Sequence, residues 1–306
     1  MAESSSPALA YDTAFDPQTG TAVSVSEGLQ RVTAPNGGPY TFTGTNSFIV
    51  GHDSVALIDP GPTDASHREA LLAAIGGRKL EAIILTHTHK DHSASAAAWR
   101  KSTGAPLWFA GPHRLSRPPR LLEINALARE CDWGLSPDRM FFDGESFKVG
   151  GVGLTAVATP GHCANHLCFG ITGTGWMLSG DHVMGWNSTL VAVPDGSMAD
   201  YLASLRKVIE MPYSHYIPSH GGEIAAGPGY ARALQAHREL RNRQVIEAVN
   251  GGAQSVGALL ERIYPTLKPT LRVAAGLTLR AHIEYLEASG AIGVKRGPFR
   301  FRLLPA

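Results

Sequence analysis

The chain has 306 residues, of which 43% are hydrophobic and 17% charged, with a formal net charge of +1. That balance excludes an intrinsically disordered chain, and the length suffices for one large domain or two. No apolar run approaches the ~18 residues of a membrane span. The odd set of three cysteines, Cys131, Cys163 and Cys168, forms no paired framework, which points to free thiols in a reducing, cytoplasmic compartment.

In chain order, residues 1–24 are polar and lack a basic stretch followed by an apolar one, so they read as a partly ordered tail and not as a signal peptide. From 25 to 228, short β-branched or apolar runs alternate with helical patterns, the signature of a mixed α/β domain. "SVALIDPG" predicts a strand ending at Asp59, and "LEAIIL" (80–85) predicts another. "SASAAAWRKST" (93–103) predicts a helix, with alanines and a basic end. "GLTAVATPG", "GWMLSG" and "HYIPS" predict further strands, each closed by Gly, Pro or Ser, and "MADYLASLRKVIEM" (198–211) predicts an amphipathic helix. A Gly- and Pro-containing stretch, "SHGGEIAAGPGY", then precedes a change of charge: residues 230–306 carry 12 Lys+Arg against 5 Asp+Glu, a net +7, whereas the rest carries −6. Two units with different tasks are therefore expected, divided at 228/229.

Four of the predicted strand ends deliver a His or an Asp. "THTHKDH" follows 80–85, His162 follows "LTAVA", Asp181 follows "WML" and His220 follows "HYI". Strand ends along one edge of an α/β sheet are where functional side chains converge. Imidazole and carboxylate suit zinc above all, and also iron or manganese. His87 and His89, two residues apart on an extended segment, point the same way and can reach one ion. Asp91 and His92, where the chain turns into the next helix, can face a second ion. His162 would complete the first set and His220 the second, with Asp181 between them. Two ions ~3.5–4 Å apart can activate a water as hydroxide, with Asp91 orienting it and shuttling its proton.

The motif "HTHKDH", followed by His162, Asp181 and His220 in that order, resembles the HxHxDH signature and later ligands of the metallo-β-lactamase superfamily. The resemblance implies an αβ/βα sandwich over about residues 25–228, two zinc ions, and a hydrolytic activity. It also implies that Asp59, in "ALIDPG", supports the ligands from behind. Many antibiotic-degrading members carry Cys or Ser where this chain has Asp181, so the lactam-cleaving branch is a weaker match than the thioesterase and ribonuclease branches.

Beyond 229, "YARALQAHRELRNRQVIEAV", "SVGALLERIY" and "LRVAAGLTLRAHIEYLEASG" predict three helices, and "AIGVKRGPFRFRLLP" predicts a hairpin. Helix, helix, helix, hairpin is a winged-helix-like order. The pair of units resembles the β-lactamase-like protein 2 subfamily, on "LTHTHKDHS", "TPGHCANHL", "SGDHVMGW" and "HREL". That subfamily implies an anionic substrate, either single-stranded RNA or an acyl thioester, with a lactam or a non-catalytic winged-helix binding role as alternatives. Arg238, Arg241, Arg243, Lys295, Arg296, Arg300 and Arg302 are the candidates for contact with RNA or another anion. A packing or homodimer role is the competing reading of the basic unit. His182, His166, Lys90 and Cys163 read as structural or solvated neighbours of the ligands, and Trp186 reads as core.

Overall fold

The structure is a computed structural model that describes residues 9–297 and 301–306; the first eight residues of the expected tail, and Arg300, lie outside them. Seven strands form the first sheet in chain order: β1 (Ala22–Ser26), β2 (Leu29–Thr33), β3 (Asn46–Gly51), β4 (Ser54–Ile58), β5 (Lys79–Ile84), β6 (Leu107–Phe109) and β7 (Arg139–Met140). The first four pair antiparallel. From β4 onward the pairing is parallel, so the connections must cross over. Helix α1 (Ala65–Ile75) carries the crossover from β4 to β5, helices α2 (Lys90–Ser93) and α3 (Ala96–Thr103) carry that from β5 to β6, and the long segment 110–138 carries that from β6 to β7.

The second sheet has the order β12-β11-β10-β9-β8, built from β8 (Ser146–Val149), β9 (Val152–Ala158), β10 (Leu167–Ile171), β11 (Trp176–Gly180) and β12 (His215–Pro218). Its one parallel pair, β11 with β12, is joined by α4 (Met198–Ile209). Ser197 caps α4 by accepting the Asp200 N–H, and Met198, Tyr201, Leu202, Leu205, Val208 and Ile209 form its buried stripe at helical spacing.

Three apolar layers make the sandwich. Phe48, Val50, Ala56, Ile58 and Ile84 of the first sheet meet Leu154, Ala156, Phe169, Leu178 and Ile217 of the second. Leu57, Ile83 and Leu85 cover the outer face of the first sheet together with Leu71, Ile75 and Trp99 of α1 and α3. Val157, Cys168 and Met177 cover the outer face of the second with α4. Both sheets are thus buried between helices on the outside and the facing sheet on the inside, which gives the αβ/βα arrangement.

The remaining chain forms α5 (Gly227–Asn250), α6 (Val256–Ile263), α7 (Pro269–Ala288) and a hairpin of β13 (Ile292–Arg296) and β14 (Phe301–Pro305). It has its own core of Val245, Val249, Leu259, Leu279, Ile283, Leu286 and Leu303. The first half of α5, through Ala231 and Leu234, and Ala281 of α7 belong instead to the layer around α4. This joint core changes the reading of the basic helix. Arg238 is only 3% exposed, lies 5.3 Å over the Tyr201 ring and donates to the Thr189 carbonyl. Arg241 lies 4.1 Å over Tyr264. Of the expected anion contacts on α5, only Arg243 stands in solvent; the other two arginines serve packing. Among the described residues, no helix is long and apolar enough to cross a membrane.

Candidate metal centre

The predicted polar strand ends meet at one edge of the sandwich. Past β5 the chain runs extended through His87 to His89, and His89 sits at the start of α2, which carries Asp91 and His92. His87 Nε2 lies 3.1 Å from His89 Nδ1, and His162 Nε2 lies 2.8 Å from the same atom. These three nitrogens face one point. Asp91 Oδ2 lies 3.2 Å from both His92 Nε2 and His220 Nε2, and these define a second point. Asp181 stands between: Oδ1 is 3.7 Å from His92 Nε2 and 3.4 Å from His220 Nε2, while Oδ2 is 3.6 Å from His162 Nε2. The trios His87/His89/His162 and Asp91/His92/His220, together with His87/His92/Asp181, are groups whose ligand atoms could each hold one ion. All seven residues singled out in the sequence therefore lie together.

The donor set fits metal ions on two independent observations. First, His92 Nε2, His220 Nε2 and Asp181 Oδ1 are buried without a hydrogen-bond partner, a costly state unless a cation takes their lone pairs. Second, the far nitrogen of each ring is committed to holding a proton. His92 Nδ1 lies 3.0 Å from Asp59 Oδ2, His162 Nδ1 lies 2.7 Å from the Leu190 carbonyl, and His220 Nδ1 lies 3.2 Å from the Gly44 carbonyl. His89 Nε2 lies 2.9 Å from Asp195 Oδ2. The Thr86 hydroxyl donates to Asp59, so the His87 Nδ1–H must donate to Thr86 Oγ1 at 3.0 Å. A neutral imidazole has one proton, and in all five rings it points away from the cluster, leaving the lone pair inside. A tetrahedral ion with bonds of about 2.0–2.1 Å spaces its ligands by about 3.3 Å, close to the distances at the second point.

Burial and charge tune the cluster. Burial alone would raise the Asp181 carboxyl, but His220 and His92 outweigh it and hold it well below the usual carboxylate range. Asp91 is likewise held down, against its own burial, by His92 and His220. Burial, followed by the neighbouring rings, keeps His87 well below its ordinary value and His162 at about 4. For His89 burial is outweighed by the hydrogen bond to Asp195, which raises it to about 10. His220 rises to about 10 against burial because of Asp181.

Asp59 lies behind the cluster, against His92. Its carboxylate accepts the Thr86 N–H at 2.7 Å and the Thr86 hydroxyl at 2.7 Å, besides facing His92. Its φ of 50° is left-handed, a conformation that aspartate tolerates better than most residues. His166 orients rather than ligates: its Nε2 accepts the Asp181 N–H at 3.0 Å. His182 is buried against Tyr201, and Lys90 reaches the Arg129 carbonyl from solvent. Trp186 is partly buried and stacks on Phe42 at 4.9 Å instead of filling the core.

Three supporting residues were not legible in the sequence. Asp195 binds His89 and also lies 2.9 Å from His113 Nε2, with no side-chain exposure at either. It sits in "VPDGS", which reads only as a turn. Asn46, inside a strand, donates from Nδ2 to the Pro218 carbonyl at 3.0 Å and the Gly221 carbonyl at 2.9 Å. It thereby ties the two sheets together around His220. Gly44, whose carbonyl takes the His220 ring, has φ 133°, and a Cβ there would sit 2.0 Å from the Ala34 carbonyl oxygen, so only glycine fits.

The chain is similar to known proteins over most of its length. The family described as "Metallo-beta-lactamase superfamily" matches residues 40–220, a span that contains all seven residues. The lactamase-like protein vrtG of Penicillium aethiopicum is 30% identical over 81% of this chain and 71% of its own length. An atrochrysone carboxyl ACP thioesterase of Aspergillus fumigatus is 26% identical over 79% and 75%. A β-lactamase-like protein 2 homologue of Caenorhabditis elegans is 26% identical over 74% and 72%. A metallo-β-lactamase family protein of Thermus thermophilus superposes with a TM-score of 0.75 at 25% identity, covering 92% of this chain and 100% of that one. With the family match spanning more than half of the chain and ending on the last member of the cluster, the protein belongs to the metallo-β-lactamase superfamily of hydrolases.

Proposed function

We propose that the chain is a binuclear metal-dependent hydrolase of acyl thioesters, with zinc as the two ions and Asp181 as their shared ligand. The observation that carries this reading is the position of Asp181, one oxygen facing each trio. Two ions so held would supply hydroxide at neutral pH and Lewis-acid stabilisation of a developing oxyanion. The chain's own part is to aim and to move a proton. The Asp91 side chain is 28% exposed, the most open of the acidic and imidazole groups paired in the cluster. It can orient the attacking water, take its proton and pass it to the departing sulfur as the C–O bond forms and the C–S bond breaks. Cys163 is a poor rival nucleophile: it is fully buried and burial raises its thiol well above the ordinary value.

Thioester cleavage fits better than RNA cleavage because three of the expected anion contacts of the C-terminal unit are engaged within the protein. Arg238 and Arg241 lie on aromatic rings, and Arg296 is paired with Glu287. The relative named as a carrier-protein thioesterase supports the same choice. The last 78 residues are assigned as a winged-helix-like domain that borders the site, and the three free, buried cysteines fit a reducing compartment. Turnover of an acyl thioester, single-stranded RNA and a chromogenic lactam by metal-loaded protein tests the substrate class. Thioester turnover alone is expected; cleavage of RNA without thioester turnover overturns the reading.

A further inference from the structure

Away from the metal cluster, a groove of about 340 Å³ runs between residues 117–124 and the α7–hairpin unit. Its walls are apolar: Leu121, Leu122, Ile124, Val193, Ile283 and Val294 line it. Leu121 is 88% exposed and Ile124 82%, so large apolar side chains stand in water at its edge, a costly arrangement that marks ligand or partner surfaces.

The segment carrying them is held in place. The Arg117 guanidinium grips Glu123 at 2.6 and 2.7 Å and Glu284 of α7 at 2.8 and 2.5 Å, clamping one wall to the other. Arg120 also binds Glu284. These pairs consume the acids of the groove, and Arg296 is matched by Glu287. Arg280, exposed on α7 and lining the same groove, has no ion pair among the described residues. The groove thus has apolar walls and one uncompensated cation at its rim.

One wall adjoins the metal cluster. Val193 lies in the segment whose Leu190 carbonyl holds His162 and whose Asp195 holds His89. Ser116, just before the clamped segment, donates to the Pro194 carbonyl at 3.0 Å and to the Asp195 carbonyl at 2.7 Å. Cluster and groove are two sides of the same short stretch.

We infer that this groove receives the thiol-side arm of the substrate, an amphiphilic chain ending in phosphate, with the phosphate at Arg280 and the thioester carbonyl at the Asp91–Asp181 cluster. The inference rests on the thioester reading above and adds the recognition element to it. An arm of mixed methylene and amide character matches apolar walls, and a terminal phosphate matches the unpaired guanidinium. Coenzyme A and the prosthetic group of acyl carrier proteins share this arm.

The test uses metal-loaded full-length protein. Acetyl-coenzyme A is compared with S-acetylpantetheine, which has the same acyl group, thioester and arm but no phosphate, and acetyl-carrier protein is run in parallel to separate the two sources. The expected result is a KM at least about tenfold lower for the phosphate-bearing substrates. Arg280→Glu should erase that preference by raising KM for the phosphate-bearing substrates and not for the phosphate-free ester, and be partly rescued by Arg280→Lys. Equal KM values in the native protein, or equal effects of Arg280→Glu on both ester types, overturn the inference. Titration calorimetry with coenzyme A alone separates it from the thioester reading. Binding that is lost in Arg280→Glu without any thioester turnover keeps the groove as an anion-ended-arm site and discards the thioester reading. No coenzyme A binding discards the groove assignment.

Discussion

The two ligand trios differ in what holds them and in how they carry charge. His87, His89 and His162 are three imidazoles, two of them kept neutral by burial. Their outward nitrogens are anchored by Thr86, Asp195 and Leu190. Asp91, His92 and His220 include a half-open carboxylate and two rings raised by acid neighbours, anchored by Asp59 and the Gly44 carbonyl. The first trio is a buried nitrogen pocket, and the second is a charged set open to solvent on one side. One protein edge thus carries an enclosed group of nitrogens and a more open charged group, with Asp181 between them.

Asp181→Ala strikes that shared point and should have the largest effect. Metal analysis should find the second site mostly empty, and turnover should fall by at least about 10²–10³-fold. Full occupancy of two ions in this variant would sink the assignment of Asp181 as the bridge.

The two anchoring aspartates should separate the trios. Asp195→Asn should weaken the ion held by His87, His89 and His162, and Asp59→Asn the ion at Asp91, His92 and His220, each by about 10–100-fold. Chelator competition with cobalt-loaded protein, read from its absorption bands, reports the two sites. If both variants weakened the same ion, the partition of ligands would be wrong.

Acid should separate them too. A ring whose metal-free value is raised stays protonated through neutral pH, so an ion must displace that proton, and its affinity rises with pH. The second trio has two such rings, His92 and His220, and the first has one, His89. Affinity should therefore rise with pH at both sites, and more steeply at the second. Lowering the pH should weaken the second site more than the first, as equilibrium dialysis across the neutral range would show; an equal fall at both would contradict the comparison.

Cys163→Ala should do least. The thiol is buried, contacts Asn165 and belongs to none of the candidate metal-holding groups among the described residues, so turnover and metal content should stay within about twofold, with a stability cost of about 1 kcal/mol. Under single turnover in ¹⁸O-water, the product should carry solvent label in both native and variant protein. A first-turnover oxygen taken from the protein would indicate a covalent route.

The sequence alone determined which side chains form the cluster, since residue type and position relative to strand ends are local properties. His87 and His89 two apart on extended chain, Asp91 and His92 entering a helix, and the later His162, Asp181 and His220 after strands needed no contact information. The strands of "LEAIIL", "GWMLSG" and "HYIPS" were legible for the same reason, as were the order of three helices and a hairpin in the C-terminal unit. What only tertiary structure decided was pairing over long distance. Asp195 lies 106 residues from His89 and Asn46 lies 172 from Pro218; a turn aspartate and a strand asparagine carry no local sign of such partners. Likewise, a basic helical pattern cannot tell a solvated arginine from Arg238, which lies buried on Tyr201. Whether a charge meets water or an aromatic ring depends on which face of α5 another element covers, and that is set by packing against α4 and α7, not by the spacing of residues along α5 itself.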